Sequence, residues 1–283
     1  MNPAQDRFIQ AGDVRLHVRE WGSDDLPPLV LLHGLASTSR MFDLIAPPLS
    51  AYFHVIVPDQ RGHGLSDKPD AGYDFETISR DLDHLLDACG IEQAALIGHS
   101  WGAYSTVCYA ATRPARVARA ALIDGGVRPL GDLYATWAEA EIKMSPPTYH
   151  NRTVADIERM IRDDWLGAAF RPELLPLALS VFDTSDPTDV RAHLKRDHHM
   201  QIARAIWEMR PADYYPQVKC PLLIVNAGAR GEDAAMVAYI DAAERPIDRV
   251  QVVWMPDTIH DIPWQRPDAL VAVLDPFLRA SDR

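Results

Sequence analysis

The residues Gly98-His99-Ser100-Trp101-Gly102 place a serine between two small neighbours. The pattern G-x-S-x-G carries chemistry only where a strand runs into it and a helix runs out. Here the apolar run AALI (94–97) precedes it, and WGAYSTVCYAAT (101–112) reads as a helix. Such a turn holds the serine in a strained backbone conformation, so its neighbours two residues away must be small. The Ser100 hydroxyl then projects from the carboxyl edge of a sheet, at the N-terminus of a helix. Free N–H groups and the helix dipole there favour a developing oxyanion. A second donor loop is at hand. His33-Gly34-Leu35 follows the run PLVLL, and strand ends of one sheet converge on one edge. The Leu35 and Trp101 N–H groups are therefore the expected oxyanion donors. A serine hydroxyl is a weak nucleophile at neutral pH and needs a base. The chain has eleven histidines. His260 is the expected base because its loop follows the last apolar run, VQVVWM (250–255), and returns to the same edge. His33 and His63 are read as structural.

The elements that must position these groups follow from the pattern of apolar residues. Short runs rich in Val, Ile and Leu occur at 28–34, 53–62, 94–100, 120–126, 221–228 and 250–257. Most show no alternation, which suits strands buried on both faces of a parallel sheet. VRLHVRE (14–20) does alternate, and it is expected to form a half-exposed antiparallel edge strand. Ile78, Leu82, Leu85, Leu86 and Cys89 fall on one helical face, with Gly90 as a stop. Residues 101–112 and 267–280 are also expected to be helical. Strand–helix alternation of this kind gives an α/β fold with a mostly parallel sheet. From 127 to 215 the rhythm stops, and the residues read as short helices punctuated by prolines.

Four motifs in order carry a family resemblance over nearly the whole core. HGLAS (33–37), PDQRGHGLSDKP (58–69), GHSWG (98–102) and TIHDIPWQRP (258–267) resemble the oxyanion loop, the arginine-glycine-histidine-glycine loop, the nucleophile elbow and the terminal histidine loop of α/β-hydrolase-fold enzymes. The resemblance implies a mostly parallel central sheet flanked by helices, with a core of residues 1–126 and 216–283. Residues 127–215 then correspond to the family's helical cap. It also implies a triad acid. Asp124 ends the run AALID, 24 residues after Ser100. That spacing resembles family members whose acid follows this earlier strand, so Asp124 is the expected acid. The commoner family position lies after PLLIVNAG, where Asp233 and Glu232 are the alternatives. Trp101 resembles the residue after the nucleophile in haloalkane dehalogenases and epoxide hydrolases. Those enzymes use an aspartate there. A serine attacking an alkyl halide would leave a stable ether, so neither activity is expected.

The sequence expectation is a cofactor-free serine hydrolase that cleaves small carboxylic esters or lactones through an acyl-enzyme on Ser100. Two alternatives keep the triad: a carbon–carbon bond hydrolase and a proline iminopeptidase-like hydrolase. A ligand receptor on a hydrolase scaffold is the alternative of another class. A net charge of −12 argues against nucleic acid as a partner. No apolar run is long enough to span a bilayer, and MNPAQDRFIQ lacks the basic and apolar blocks of a secretory leader. The expected location is cytoplasmic, and a homo-oligomer is left open. Cys89, Cys108 and Cys220 show no metal or redox spacing. His193, Asp197, His198 and His199 cluster in sequence without a ligand pattern, so no metal site is assigned.

Overall fold

The computed structural model describes residues 3–228 and 233–280. Among them the apolar runs form one eight-stranded sheet with the order β1-β2-β4-β3-β5-β6-β9-β10. The strands are β1 (Gln5–Ala11), β2 (Val14–Trp21), β3 (Pro28–Leu32), β4 (His54–Pro58), β5 (Ala94–His99), β6 (Val117–Ile123), β9 (Leu222–Ala227) and β10 (Val250–Met255), with a small ribbon, β7 (Phe182–Asp183) and β8 (Arg191–Ala192), between β6 and β9. From β4 to β10 every pairing is parallel. The central strands are buried on both sides. Leu32, Leu96, Leu122 and Ile224 face one core, and Leu31, Ile97, Ile123 and Val225 face the other. Helices Phe75–Ala88 and Trp101–Thr112 fill the first core. Helix Pro267–Arg279 places Leu270, Leu274, Phe277 and Leu278 in the second.

The register sets the level of the site. His99 pairs with Ile123, Ile123 with Val225, and Met255 with Ala227. The residues after β5, β6, β9 and β10 therefore leave the sheet along one edge, where ligand sites of open parallel sheets form.

The expected edge strand lies inside the sheet. β2 pairs antiparallel with both β1 and β4, so β1 is the edge. Only Arg15 is exposed along β2. His17 and Arg19, which read as solvent-facing, are buried because each finds a carboxylate. His17 Nδ1 and Nε2 contact Asp59 Oδ2 (2.8 Å) and Asp6 Oδ1 (3.0 Å), and Arg19 pairs with Asp43.

The chain between β6 and β9 carries helices Trp137–Met144, Val154–Met160 and Arg196–Glu208, the β7–β8 ribbon, and a π-helical turn at Ile161–Leu166. The ribbon is absent from the sequence reading, since two-residue strands carry no period. Among the described residues no helix is long and apolar enough to cross a membrane.

Asp59, just after β4, ties three segments beneath the site. Its carboxylate accepts hydrogen bonds from Ser39 N–H (2.7 Å) and Leu65 N–H (2.9 Å) as well as meeting His17. Burial alone would raise its pKa. The His17 hydrogen bond and the two N–H donors instead hold it well below the ordinary 3.8. Replacing Asp59 with Ala leaves those donors buried and unpaired, and should cost about 3–5 kcal/mol, read from denaturant unfolding at pH 7. A depressed carboxylate contributes stability above its unfolded-state pKa and loses it as pH falls. The gap between the parent chain and Asp59→Ala should therefore narrow below pH 3.8.

Candidate active site

Ser100 is reached by reversing the chain in one residue. Its φ is 54° and its ψ −119°, outside the regions that side chains favour. Close packing of backbone on backbone holds it there. A Cβ on Gly98 would lie 2.2 Å from Gly102 O, and one on Gly102 would lie 2.0 Å from Leu32 O. Gly125, after β6, has the same constraint against Ser100 O (2.4 Å). The Ser100 N–H donates to Ile123 O (2.9 Å), locking the turn to β6. The Trp101 N–H opens the following helix, where the first N–H groups have no intrahelical acceptor.

The loop after β3 is fixed by two buried histidines. His33 Nε2 accepts from Gln60 N–H (3.0 Å), and Gln60 Nε2 donates back to His33 O (2.7 Å). His63 Nε2 accepts from Ala36 N–H (3.3 Å), while its Nδ1–H donates to Arg61 O (2.9 Å). Burial pushes both imidazoles below the ordinary histidine value, so they stay neutral. The His63 ring stacks on Trp101 at 5.2 Å. Arg61 itself grips Asp81 through two 2.7 Å bonds. These contacts set where the Leu35 backbone lies relative to Ser100.

His260 and Asp124 meet above the sheet edge. The His260 Nδ1–H donates to Asp124 Oδ2 at 2.5 Å, and Ala227 N–H donates to Asp124 Oδ1 at 2.9 Å. Asp124 thus bridges the ends of β6 and β9 and still reaches the loop after β10. Its φ of 45° is a conformation aspartate tolerates better than most residues. Burial would favour the neutral acid. The His260 bond and charge and the Ala227 N–H outweigh it, and the pKa lies below 3.8. For His260, burial would lower the pKa. The Asp124 bond and charge, with the charge of Asp261, raise it above 6.5. The Asp124 side chain is 17% exposed and that of His260 is 53% exposed, so the imidazole has one open side.

Ser100, His260, Asp124, Leu35 and Trp101 all line one cavity of about 450 Å³. Among the described residues no hydrogen bond joins Ser100 to His260; such bonds commonly tighten only when substrate is bound. Asp233 borders the same cavity but has other partners. It caps helix Ala234–Glu244 by accepting from Met236 N–H (3.0 Å), and it pairs with Arg128. Glu232 lies outside the described residues.

Three contacts at the site went unread in the sequence. His99 Nε2–H donates to His260 O (3.0 Å), so the residue before the serine holds the histidine loop. Asp261, next to His260, accepts from Trp165 Nε1–H (2.7 Å), and Trp165 also lies against Trp264. Trp165 belongs to the π-helical turn, a geometry often found at functional positions. Nothing local in the sequence signals any of these contacts, each of which spans more than 90 residues. In the 193–199 cluster, His198 Nδ1 pairs with Tyr73 OH (2.8 Å) and His199 Nε2–H donates to Met144 O (2.9 Å).

A family model described as the alpha/beta hydrolase fold matches residues 27–183, more than half of the chain. The chain belongs to the α/β-hydrolase fold family. Among relatives of this chain, a 2-(acetamidomethylene)succinate hydrolase of Mesorhizobium japonicum is 40% identical over 125 residues. That match covers 43% of this chain and 44% of the relative, so it spans less than half of the relative's length. An N-formylmaleamate deformylase of Pseudomonas putida is 26% identical over 284 residues, covering 95% of each chain. The crystal structure of an E-2-(acetamidomethylene)succinate hydrolase superposes with a TM-score of 0.81 at 27% identity, over 98% of this chain and all of that one.

The contact of Trp165 with Asp261 generates a direct test. Trp165→Phe keeps a ring beside Trp264 and removes the donor to a largely buried carboxylate. The protein should lose about 1–3 kcal/mol in denaturant unfolding. An unchanged unfolding midpoint would mean that this hydrogen bond contributes nothing.

Proposed function

We propose that the protein hydrolyses small carboxylic esters or lactones by acyl transfer through Ser100. The observation that carries this reading is the short His260–Asp124 contact bordering the cavity that also holds Ser100. In the proposed reaction His260 Nε2 takes the Ser100 proton as Oγ attacks the substrate carbonyl carbon. The negative charge that develops on the carbonyl oxygen is held by the Leu35 and Trp101 N–H groups. His260, now an imidazolium stabilised by ionised Asp124, passes its proton to the leaving alcohol. Water then adds to the acyl-enzyme with His260 again as base, and the carboxylic acid leaves. A lactone follows the same steps, its alcohol remaining tethered to the acyl group. Nothing in these steps needs a cofactor.

Residues 127–215 are proposed to act as a cap. Val127, Arg128, Leu130, Met144 and Ile206 from this segment line the cavity. A wall built this way excludes bulk water and selects the substrate.

A second reading extends the leaving group from oxygen to nitrogen. Two relatives carry names that denote an acetamido compound and a deformylase acting on an N-formyl compound. The same proton transfers would serve an N-acyl bond whose nitrogen is a good leaving group. Comparing p-nitrophenyl acetate and butyrate with an N-acetyl enamide separates the two.

Ser100→Ala and His260→Ala should each lower kcat for the preferred acyl substrate by about 10⁴-fold or more. Activity within tenfold of the parent in either folded variant would exclude the assignment. Asp124→Asn should lower kcat by about 10³–10⁴-fold, whereas Asp233→Asn should change it little.

The pH profile gives an independent check. His260 must be neutral to act as base, and Asp124 raises its pKa. Activity should therefore climb with pH along a limb whose midpoint lies above 6.5. A limb centred below that value would contradict the pairing with Asp124.

A further inference from the structure

Leu35 and Met144 each border two cavities. On one side is the chamber of Ser100 and His260. On the other is a second chamber of about 320 Å³. It is lined by Ala36 and Ser37 of the loop after β3 and by Tyr149, Trp165, Phe182 and Leu194. It is larger than the roughly 150 Å³ cavity known to accept benzene.

The two chambers differ in charge. Arg128, Asp124, Asp233 and His260 line the first. No Asp, Glu, Lys or Arg lines the second. Its titratable groups are Tyr149, His193 and His199. Burial pushes the phenol up and both imidazoles down, so all three are neutral near pH 7. An ion entering this chamber would lose hydration and find no counter-charge.

The aromatic walls favour a flat guest. Tyr149 and Phe182 meet edge to face at 4.9 Å, and Trp165 stands on the same chamber. A ring among them can adopt the offset and edge-on contacts that aromatic groups prefer. One polar group is unsatisfied. The Ser37 Oγ is buried and has no hydrogen-bond partner, although its own N–H donates to Gly34 O. Buried hydroxyls are normally paired, and Ser37 belongs to the lining of this chamber, so a ligand oxygen there could supply the missing partner after a small side-chain rotation.

We infer that the second chamber is a substrate subsite for an uncharged aromatic ring bearing one hydrogen-bonding oxygen, of the phenol type. This rests on the acyl-transfer reading for its place in the reaction, since the reacting carbonyl would sit at Ser100 with the ring beyond Leu35 and Met144. The binding itself needs no turnover. The charged chamber receives the polar part of the substrate, and the neutral chamber the ring.

The test uses phenol as the probe and the full chain carrying Ser100→Ala, so that binding is measured without chemistry. Calorimetric titration should show phenol binding at least tenfold tighter than benzoate, which has a similar ring and a charge. Ala192→Trp fills the second chamber and should weaken phenol at least tenfold. Ser37→Ala changes one atom, should leave folding intact, and should weaken phenol about threefold or more. With Ser100 restored, Ala192→Trp should raise KM for phenyl acetate at least tenfold and leave ethyl acetate within twofold. Equal binding of phenol and benzoate, or phenol binding unaffected in folded Ser37→Ala and Ala192→Trp, would overturn the subsite. If the phenol pattern holds and neither ester is hydrolysed, the subsite stands and the acyl-transfer reading fails. If both esters are hydrolysed and the variants treat them alike, the reverse is true.

Discussion

The geometry of the site depends on one strained residue. Ser100 turns the chain from strand to helix at φ 54°, and the turn closes only because three neighbours lack a Cβ. Gly98 and Gly102 let the turn fold on itself and on β3, and Gly125 lets the end of β6 slide under Ser100. Ala103 and Tyr104 N–H groups then donate to Ser100 O, which commits the next residues to helix. The strain is local and the compensation is not. A helix buried along nearly its whole length, from Trp101 to Ala111, holds the turn in place. This is how an unfavourable backbone conformation persists: the surrounding packing over-determines it.

The electrostatics follow from the same edge. Asp124 is mostly buried, which favours the neutral acid, yet it accepts two hydrogen bonds there. One comes from the backbone of β9 and one from His260. The backbone bond on Oδ1 leaves Oδ2 turned to the imidazole. The result is a pair whose two pKa values are pushed apart, Asp124 down and His260 up. That separation is what a base needs if it is to hold a proton midway through an acyl transfer. The histidines under the oxyanion loop show the opposite case. His33 and His63 have backbone partners for both ring nitrogens, and burial keeps them neutral.

Much of this was legible in the sequence because it is local. The uninterrupted apolar runs announce doubly buried strands, and the glycines around Ser100 announce the turn. Helix Phe75–Ala88 shows its buried face in the spacing of Ile78, Leu82 and Leu85. The sequence reading failed where partners are distant. β2 alternates and looks half-exposed, but its polar residues are buried against Asp6, Asp43 and Asp59. β1 hides among Gln, Asp and Arg because an edge strand exposes most of its side chains. The carboxylate that meets His260 could be narrowed to a few candidates by position along the chain. Asp124 is the expected one, and Asp233, the alternative after β9, caps a helix and pairs with Arg128. His99, Trp165 and Asp261 carry no local signal at all, since their roles exist only once the edge is assembled.

Trp165 and Asp261 also link the segment between β6 and β9 to the histidine loop. Trp165 holds Asp261 by its indole N–H, and Arg171 donates to Trp264 O (2.7 Å). From below, His99 holds His260 O. On the other flank, Thr38 Oγ1 and Ser180 Oγ share a hydrogen bond of 2.7 Å between the loop after β3 and the same segment. The segment is thus attached to both loops that flank Ser100, the one bearing Leu35 and the one bearing His260. A movement of the segment that opened the cavity would pull on the groups proposed to stabilise the oxyanion and to move the proton. With the segment acting as the proposed cap, access and chemistry would be mechanically joined. A guest that fills the space beside Trp165 and Leu35 would press on both attachments at once, so substrate fit can be converted into placement of the reacting groups.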